Sequence, residues 1–216
     1  MKKVLMTICL LALGFGSQAQ LITKDKTNGM QSYVRVGLTT MSLSGDDADD
    51  FKKKTGYSVM FGTQQEITSS DIFTLYYSAE AGLKSRGYGI SEKDDDYKYE
   101  EYLFSHNIAA SPVNLGLNLK ISNDFLFDAH AGVYGAFDYY GKIKATEKVG
   151  SHKDSESISL GDIENYRRYD FGLNFGLGLW YQQFNFDVSF QKGFIDIIED
   201  LNSVTNNITV SIGYKV

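Results

Sequence analysis

Seven ionisable residues sit at the less apolar positions of alternating segments: Arg35, Glu80, Lys84, Asp128, His130, Asp170 and Asp187. Such groups, enclosed at membrane depth, can form a proton relay or a polar catalytic pocket. They can equally neutralise one another inside a narrow, packed interior, the norm for a small barrel. The second reading is the expectation here, with Glu80 paired to Arg35 or Lys84. Hydrolytic chemistry would need a nucleophile beside a histidine that is oriented by an acid. The histidines are His106, His130 and His152. His130 is within reach of Asp128 or Asp170 across strands, yet nothing marks a partner serine, and no G-x-S-x-G elbow is present. No catalytic residue is therefore assigned.

Metal and cofactor chemistry are equally thin. The acidic runs Gly45-Asp46-Asp47-Ala48-Asp49-Asp50 and Lys93-Asp94-Asp95-Asp96 lack the alternating spacing that aims oxygens at one calcium ion. They read as solvated loop charge. Zinc would require clustered cysteine and histidine, which are missing. No glycine-rich phosphate loop leads into a helix. Neither a metal site nor a cofactor site is expected.

The elements that must position these residues are strands. Ser32 to Leu43 alternates Val34, Val36 and Leu38 with Tyr33, Arg35 and Thr39. Gly56 to Ile67 follows, then Ile72 to Arg86, where Phe73, Leu75, Tyr77, Ala79, Ala81 and Leu83 alternate with polar partners. Tyr102 to Ile121 slips phase, and an extra residue near Ala109 to Pro112 would reconcile its halves, so a bulge is expected there. Phe125 to Lys142, Tyr166 to Tyr181, Phe184 to Lys192 and Asn207 to Val216 complete eight strands. Short turns alternate with long charged connectors, of which Ile143 to Asn165 is the longest. Trp180, Tyr181 and Phe184 flank one short turn, where an interface girdle belongs. The parity of Trp180 also admits a place in the interior.

Which face meets lipid follows from volume. An eight-strand interior holds few large side chains, and here one face is loaded with Phe, Leu and Tyr while the other is rich in Gly, Ser and Asn. The apolar face must therefore point outward. Composition agrees, with 15 tyrosines, 14 phenylalanines, 21 glycines and a single proline. The expected fold is all-β: an eight-stranded antiparallel up-and-down transmembrane β-barrel with short periplasmic turns and long extracellular loops.

The N-terminus reads as an export signal. Lys2 and Lys3 precede the apolar run Val4 to Phe15, and Ser17-Gln18-Ala19 is a small-x-small cleavage site. The run is too short for an anchor helix. The expected division is a signal peptide over 1–19, cleaved after Ala19, a periplasmic lead-in over 20–31 and a barrel over 32–216. Cleavage removes Cys9, the only cysteine, so no disulfide staples the mature chain. The net charge of −6 argues against nucleic-acid partners.

With these patterns in place, the chain resembles the small outer-membrane β-barrel domain family of Gram-negative bacteria, commonly labelled porin-like. Its carriers are Tyr33-Val34-Arg35-Val36-Gly37-Leu38, the run Tyr77 to Gly87, the Pro112 strand and Ala129-His130-Ala131-Gly132-Val133-Tyr134. Phe171 to Gly178 and the closing Ile208 to Val216 complete the set. Val216 departs from the aromatic residue with which many such barrels end and which the assembly machinery reads. The resemblance implies an integral outer-membrane protein without chemistry of its own, serving a structural, surface-interaction or secretion-accessory role. A narrow passive channel and a lipid-modifying enzyme are the alternatives. Implied partners are outer-membrane lipids and lipopolysaccharide, the barrel-assembly machinery, and a protein met through the extracellular loops. Eight strands leave a lumen that side chains fill, so passage of large solutes is not expected.

Overall fold

A computed structural model of the chain describes residues 30–45, 51–94, 97–149, 152–163, 165–198 and 203–216. The expected leader, most of the lead-in, the acidic run at 46–50 and Asp95 and Asp96 lie outside the described residues. The strands are β1 (Gln31–Gly45), β2 (Lys52–Ser69), β3 (Phe73–Lys93), β4 (Tyr97–Lys120), β5 (Phe125–Val149), β6 (His152–Ser159), β7 (Tyr169–Tyr181), β8 (Phe184–Asp196) and β9 (Ser203–Lys215). Each pairs antiparallel with its neighbour in the ring, and β1 pairs with both β2 and β9, so the sheet closes. Eight strands make the barrel. The ninth, β6, pairs with the upper half of β5 alone.

That ninth strand corrects the expected long loop from Ile143 to Asn165. The segment is polar, yet Lys142–Val149 and His152–Ser159 form a continuous hydrogen-bonded hairpin. Polarity separated lipid from water, and a ladder in water needs no apolar face. The second connector is shorter than expected for the same reason, because β3 and β4 stay paired up to Lys93 and Lys98.

Along the bilayer-level wall, alternation is nearly unbroken. In β7, Phe171, Leu173, Phe175, Leu177 and Leu179 are outward and exposed, while Asp170, Gly172, Asn174, Gly176 and Gly178 face the lumen. Leu38 is 63 % exposed and Phe61 61 %, whereas Asp128 is 0 % and Asp187 1 % exposed. A water-soluble sandwich or lipocalin-like barrel would show the opposite. The bulge expected in β4 is present: register is lost against β5 across Ala110–Val113 and against β3 across Ser111–Asn114, and Pro112 and Val113 point outward in succession. It restores phase between Ile108 and Leu115.

Aromatic contacts mark both edges of the apolar wall. At the periplasmic edge Phe125 meets Tyr181 at 4.8 Å and Phe184 meets Tyr214 at 5.3 Å between ring centroids. At the outer edge His106 gathers Phe104, Tyr57, Tyr139 and Tyr140 around it. Trp180 belongs to neither edge. It is buried in the lumen, edge-on to Tyr33, with the Lys215 ammonium 4.1 Å from its ring centre.

Candidate functional site in the lumen

The inward positions of β1, β3, β5 and β8 converge near the barrel's middle. The Arg35 guanidinium lies 2.9 Å from Glu80 Oε1 and 3.7 Å from Asp187 Oδ1. Tyr33 donates its hydroxyl to the same Glu80 oxygen at 2.6 Å, and its ring lies under the guanidinium. His130 Nδ1 is 2.7 Å from Asp128 Oδ1 and 3.9 Å from Asp187 Oδ2. Tyr76 donates to the other Asp128 oxygen. Lys84 is placed away from Glu80's hydrogen bonds and donates to Gln191 at 3.0 Å.

Room for these side chains comes from glycine. Gly176 faces His130 across the β5–β7 ladder, and a Cβ there would lie 2.2 Å from the His130 Nε2. On the other side Gly116 sits under the Tyr76 ring, where a Cβ would be 2.1 Å from Cζ. The glycines that alternate with Leu and Phe are therefore what lets a narrow lumen hold an imidazole and a phenol.

Asp170, grouped with these residues by sequence, belongs to a second cluster nearer the outer end. Arg86 Nη2 lies 2.6 Å from Asp138 Oδ2, and its Nη1 lies 2.9 Å from Asp170 Oδ2. Ser105 and Tyr166 donate to Asp138 at 2.9 and 2.6 Å. Thr205 and Tyr134 donate to Asp170 at 2.6 and 3.1 Å. The seven candidates named from the sequence omit Arg86 and Asp138, although alternation along Phe125 to Lys142 turns Asp138 inward. The signal was available: Arg86 continues the parity of Glu80, Gly82 and Lys84, and Asp138 that of Asp128 and Tyr134.

On the next inward rungs the lumen turns apolar. Met41, Leu43, Tyr88 and Leu103 from the wall pack with Leu160 and Ile197, which arrive from the connectors after β6 and β8. Phe51, Ile143, Ile163, Tyr166 and Ile198 complete the cluster. Tyr166 joins the two levels, because it packs here while its hydroxyl reaches Asp138.

The chemistry this arrangement supports is charge neutralisation. Buried ions are tolerated when paired and hydrogen-bonded. His130 and Asp128 form a dyad, but among the described residues no serine hydroxyl hydrogen-bonds to the imidazole. Asp128, His130 and Asp187 bring ligand atoms within 4.8 Å of one another. A divalent ion between them would have to displace the proton shared by His130 and Asp128 and lie beside a guanidinium. The donor set fits a hydrogen-bonded ion cluster better than a metal. A cavity of about 20 Å³ among Arg35, Glu80, Lys84, His130 and Asp187 has room for a single water. A larger apolar depression, about 640 Å³, lies where Leu115, Leu117, Phe175 and Leu177 surround the small Ala129 and Ala131 on the wall's outer face. Acyl chains fill such a surface.

A closed sheet that turns Phe and Leu outward around a lumen of acids and cations defines a transmembrane barrel. The chain belongs to the outer membrane protein beta-barrel domain family, which it matches over residues 18–199, and its place is the outer membrane. Among solved structures it is similar to Ail, the attachment invasion locus protein of Yersinia pestis, at 14 % identity over 87 % of this chain and 99 % of that one, with a TM-score of 0.41. Neisserial surface protein A gives 12 % identity, the same two coverages and a TM-score of 0.43. OprG of Pseudomonas aeruginosa gives 13 % identity over 88 % of this chain and 97 % of that one, with a TM-score of 0.32. No curated protein matches the chain.

Proposed function

We propose that this protein is a non-conducting surface barrel whose work is done by its extracellular hairpins, with no chemistry of its own. The observation that carries this reading is the doubly filled lumen. Ion pairs about Arg35 and Arg86 occupy the bilayer level, and the Met41–Leu103–Leu160–Ile197 cluster fills the outer mouth. The cavity of about 20 Å³ beside Arg35 and Glu80 suits one water and no solute stream. Strands that run past the lipid and stay paired in water give a stiff platform for a partner protein or for neighbouring lipopolysaccharide. A secretion-accessory role is a variant of the same reading, since it too uses the platform rather than the lumen. Export by the leader and insertion by the barrel-assembly machinery complete the proposal.

Planar-bilayer recording of the purified protein tests it. The expected trace is flat under applied voltage, with no unitary steps. Reproducible steps from the folded, heat-modifiable species would replace this reading with the narrow-channel one.

A further inference from the structure

Above the outer aromatic girdle, β3, β4, β5 and β6 continue as a four-stranded sheet. Its rungs run from Gly87–Phe104–Lys142–Ser159 up to Lys93–Lys98–Lys148–Lys153. Alternation divides its side chains between two faces, and the division sorts charge by sign. The face continuous with the lipid-facing wall carries Lys98, Lys142, Lys144, Lys148 and Lys153. Lys54 joins it, with its ammonium 3.4 Å from the centre of the Tyr102 ring. The opposite face carries Glu92, Glu101, Glu147, Asp154 and Glu156.

Folding does not ask for this separation. Above the Tyr88–Leu103–Ile143 rung, which packs into the apolar cluster, neither face needs to be charged, and like charges directly opposite one another destabilise a ladder. Yet Lys98, Lys148 and Lys153 share one rung. Among the described residues of this sheet, Glu100 is the one carboxylate on the lysine face. It is committed to Lys98 at 2.9 Å and accepts a hydrogen bond from Tyr102 at 2.6 Å. Among the described residues, Lys142, Lys144, Lys148 and Lys153 form no ion pair with a carboxylate.

Their height supplies the counter-charge. Lys142 pairs with Phe104 and Lys144 with Tyr102, on the rungs immediately above His106 and Tyr140. The aromatic girdle marks the edge of the apolar layer, so these lysines stand at the headgroups of the outer leaflet. From Lys142 to Lys148 the strand runs about 20 Å, a rise of about 15 Å at the usual barrel tilt, enough to meet phosphates at more than one depth. We propose that this face binds the phosphate groups of a lipopolysaccharide molecule packed against the barrel. The inference rests on the surface-barrel reading and names one partner for it.

The test is equilibrium binding of lipopolysaccharide to the purified protein in nanodiscs of zwitterionic lipid. The triple variant Lys142→Gln/Lys144→Gln/Lys148→Gln should bind at least about tenfold more weakly, since each lysine near an anionic surface contributes substantially. Dephosphorylated lipopolysaccharide should show a comparable loss against the wild type. The opposite-face variant Glu101→Gln/Glu147→Gln should bind at least as well as the wild type. Wild-type affinity in the lysine variant, or for the dephosphorylated lipid, overturns the proposal. Displacement by an equal concentration of inorganic phosphate overturns the assignment to lipid. Heat-modifiable gel mobility checks that each variant is folded. Conductance of the same preparations keeps the two readings apart: a silent barrel without phosphate dependence sinks this inference alone, and a conducting one sinks the closed-lumen reading alone.

Discussion

The bilayer-level wall and the extracellular extension are built from the same strands and obey opposite rules. In β4, Ile108 faces lipid while Asn107 and Ser105 are buried inside. Two rungs higher, Leu103 is buried inside while Glu100 and Lys98 lie outside. The β4–β5 ladder continues between them with a register shift at His106/Asn107, which leaves Tyr139 as an extra residue in β5, and that shift does not reverse the rule. The surrounding medium does: hydrocarbon accepts phenylalanine and leaves charges to pair in the lumen, whereas water accepts lysine and drives methionine and leucine inward. The girdle around His106 is where one rule gives way to the other.

The comparison is broken most severely by removing the cation that holds the upper lumen together. Arg86→Ala leaves Asp138 and Asp170 buried without their partner, and should cost about 3–5 kcal/mol. Urea unfolding in detergent reads the loss, and adding Asp138→Asn and Asp170→Asn should recover part of it. A cavity in the apolar mouth is the counterpart. Leu103→Ala should cost about 2–4 kcal/mol by the same assay. Near-wild-type stability there would mean that the cluster does not seal the mouth.

The outer face gives a sharper contrast. Leu177→Arg, on the lipid-facing wall, should destabilise by about 2–4 kcal/mol, while Thr146→Arg above the girdle should stay within about 0.5 kcal/mol of wild type. Equal penalties at the two positions would erase the distinction between the regions. Within the lumen, Gly176→Ala should cost about 1–3 kcal/mol through its clash with His130.

The smallest expected effect is a pH response in the hairpin sheet. Hydrogen bonds from Tyr102 and then Lys98 hold the Glu100 carboxyl below the usual carboxylate range. A depressed carboxylate contributes stability above its unfolded pKa and loses it as pH falls through the folded one. Acid titration of the melting temperature should therefore drop slightly more steeply in the wild type than in Glu100→Gln, with the difference confined to the acidic limb.

Much of the fold was legible because lipid imposes a strict period. Strands such as Tyr169–Tyr181 alternate without a break, and the phase slip at Pro112 revealed its bulge. The region above the membrane was less legible. Once both faces of a hairpin meet water, alternation of apolar and polar residues disappears, so His152–Ser159 read as loop. In those hairpins the period survives in the sign of the charge, with lysine on one face and glutamate on the other. The lumen candidates were readable as a set, by parity, but not as pairs. Which carboxylate meets which cation depends on strand stagger, and stagger places Asp170 with Arg86 rather than with Arg35.

Spin-label accessibility along the outward positions of β5 tests the change of rule most directly. Labels at Ala131, Val133 and Phe137 should collide with oxygen dissolved in the hydrocarbon, and labels at Lys144 and Lys148 with a water-soluble nickel chelate. The account places the crossover at Tyr139 and Tyr140. Oxygen-dominated collisions continuing through Lys148, or chelate-dominated collisions already at Val133, would contradict it.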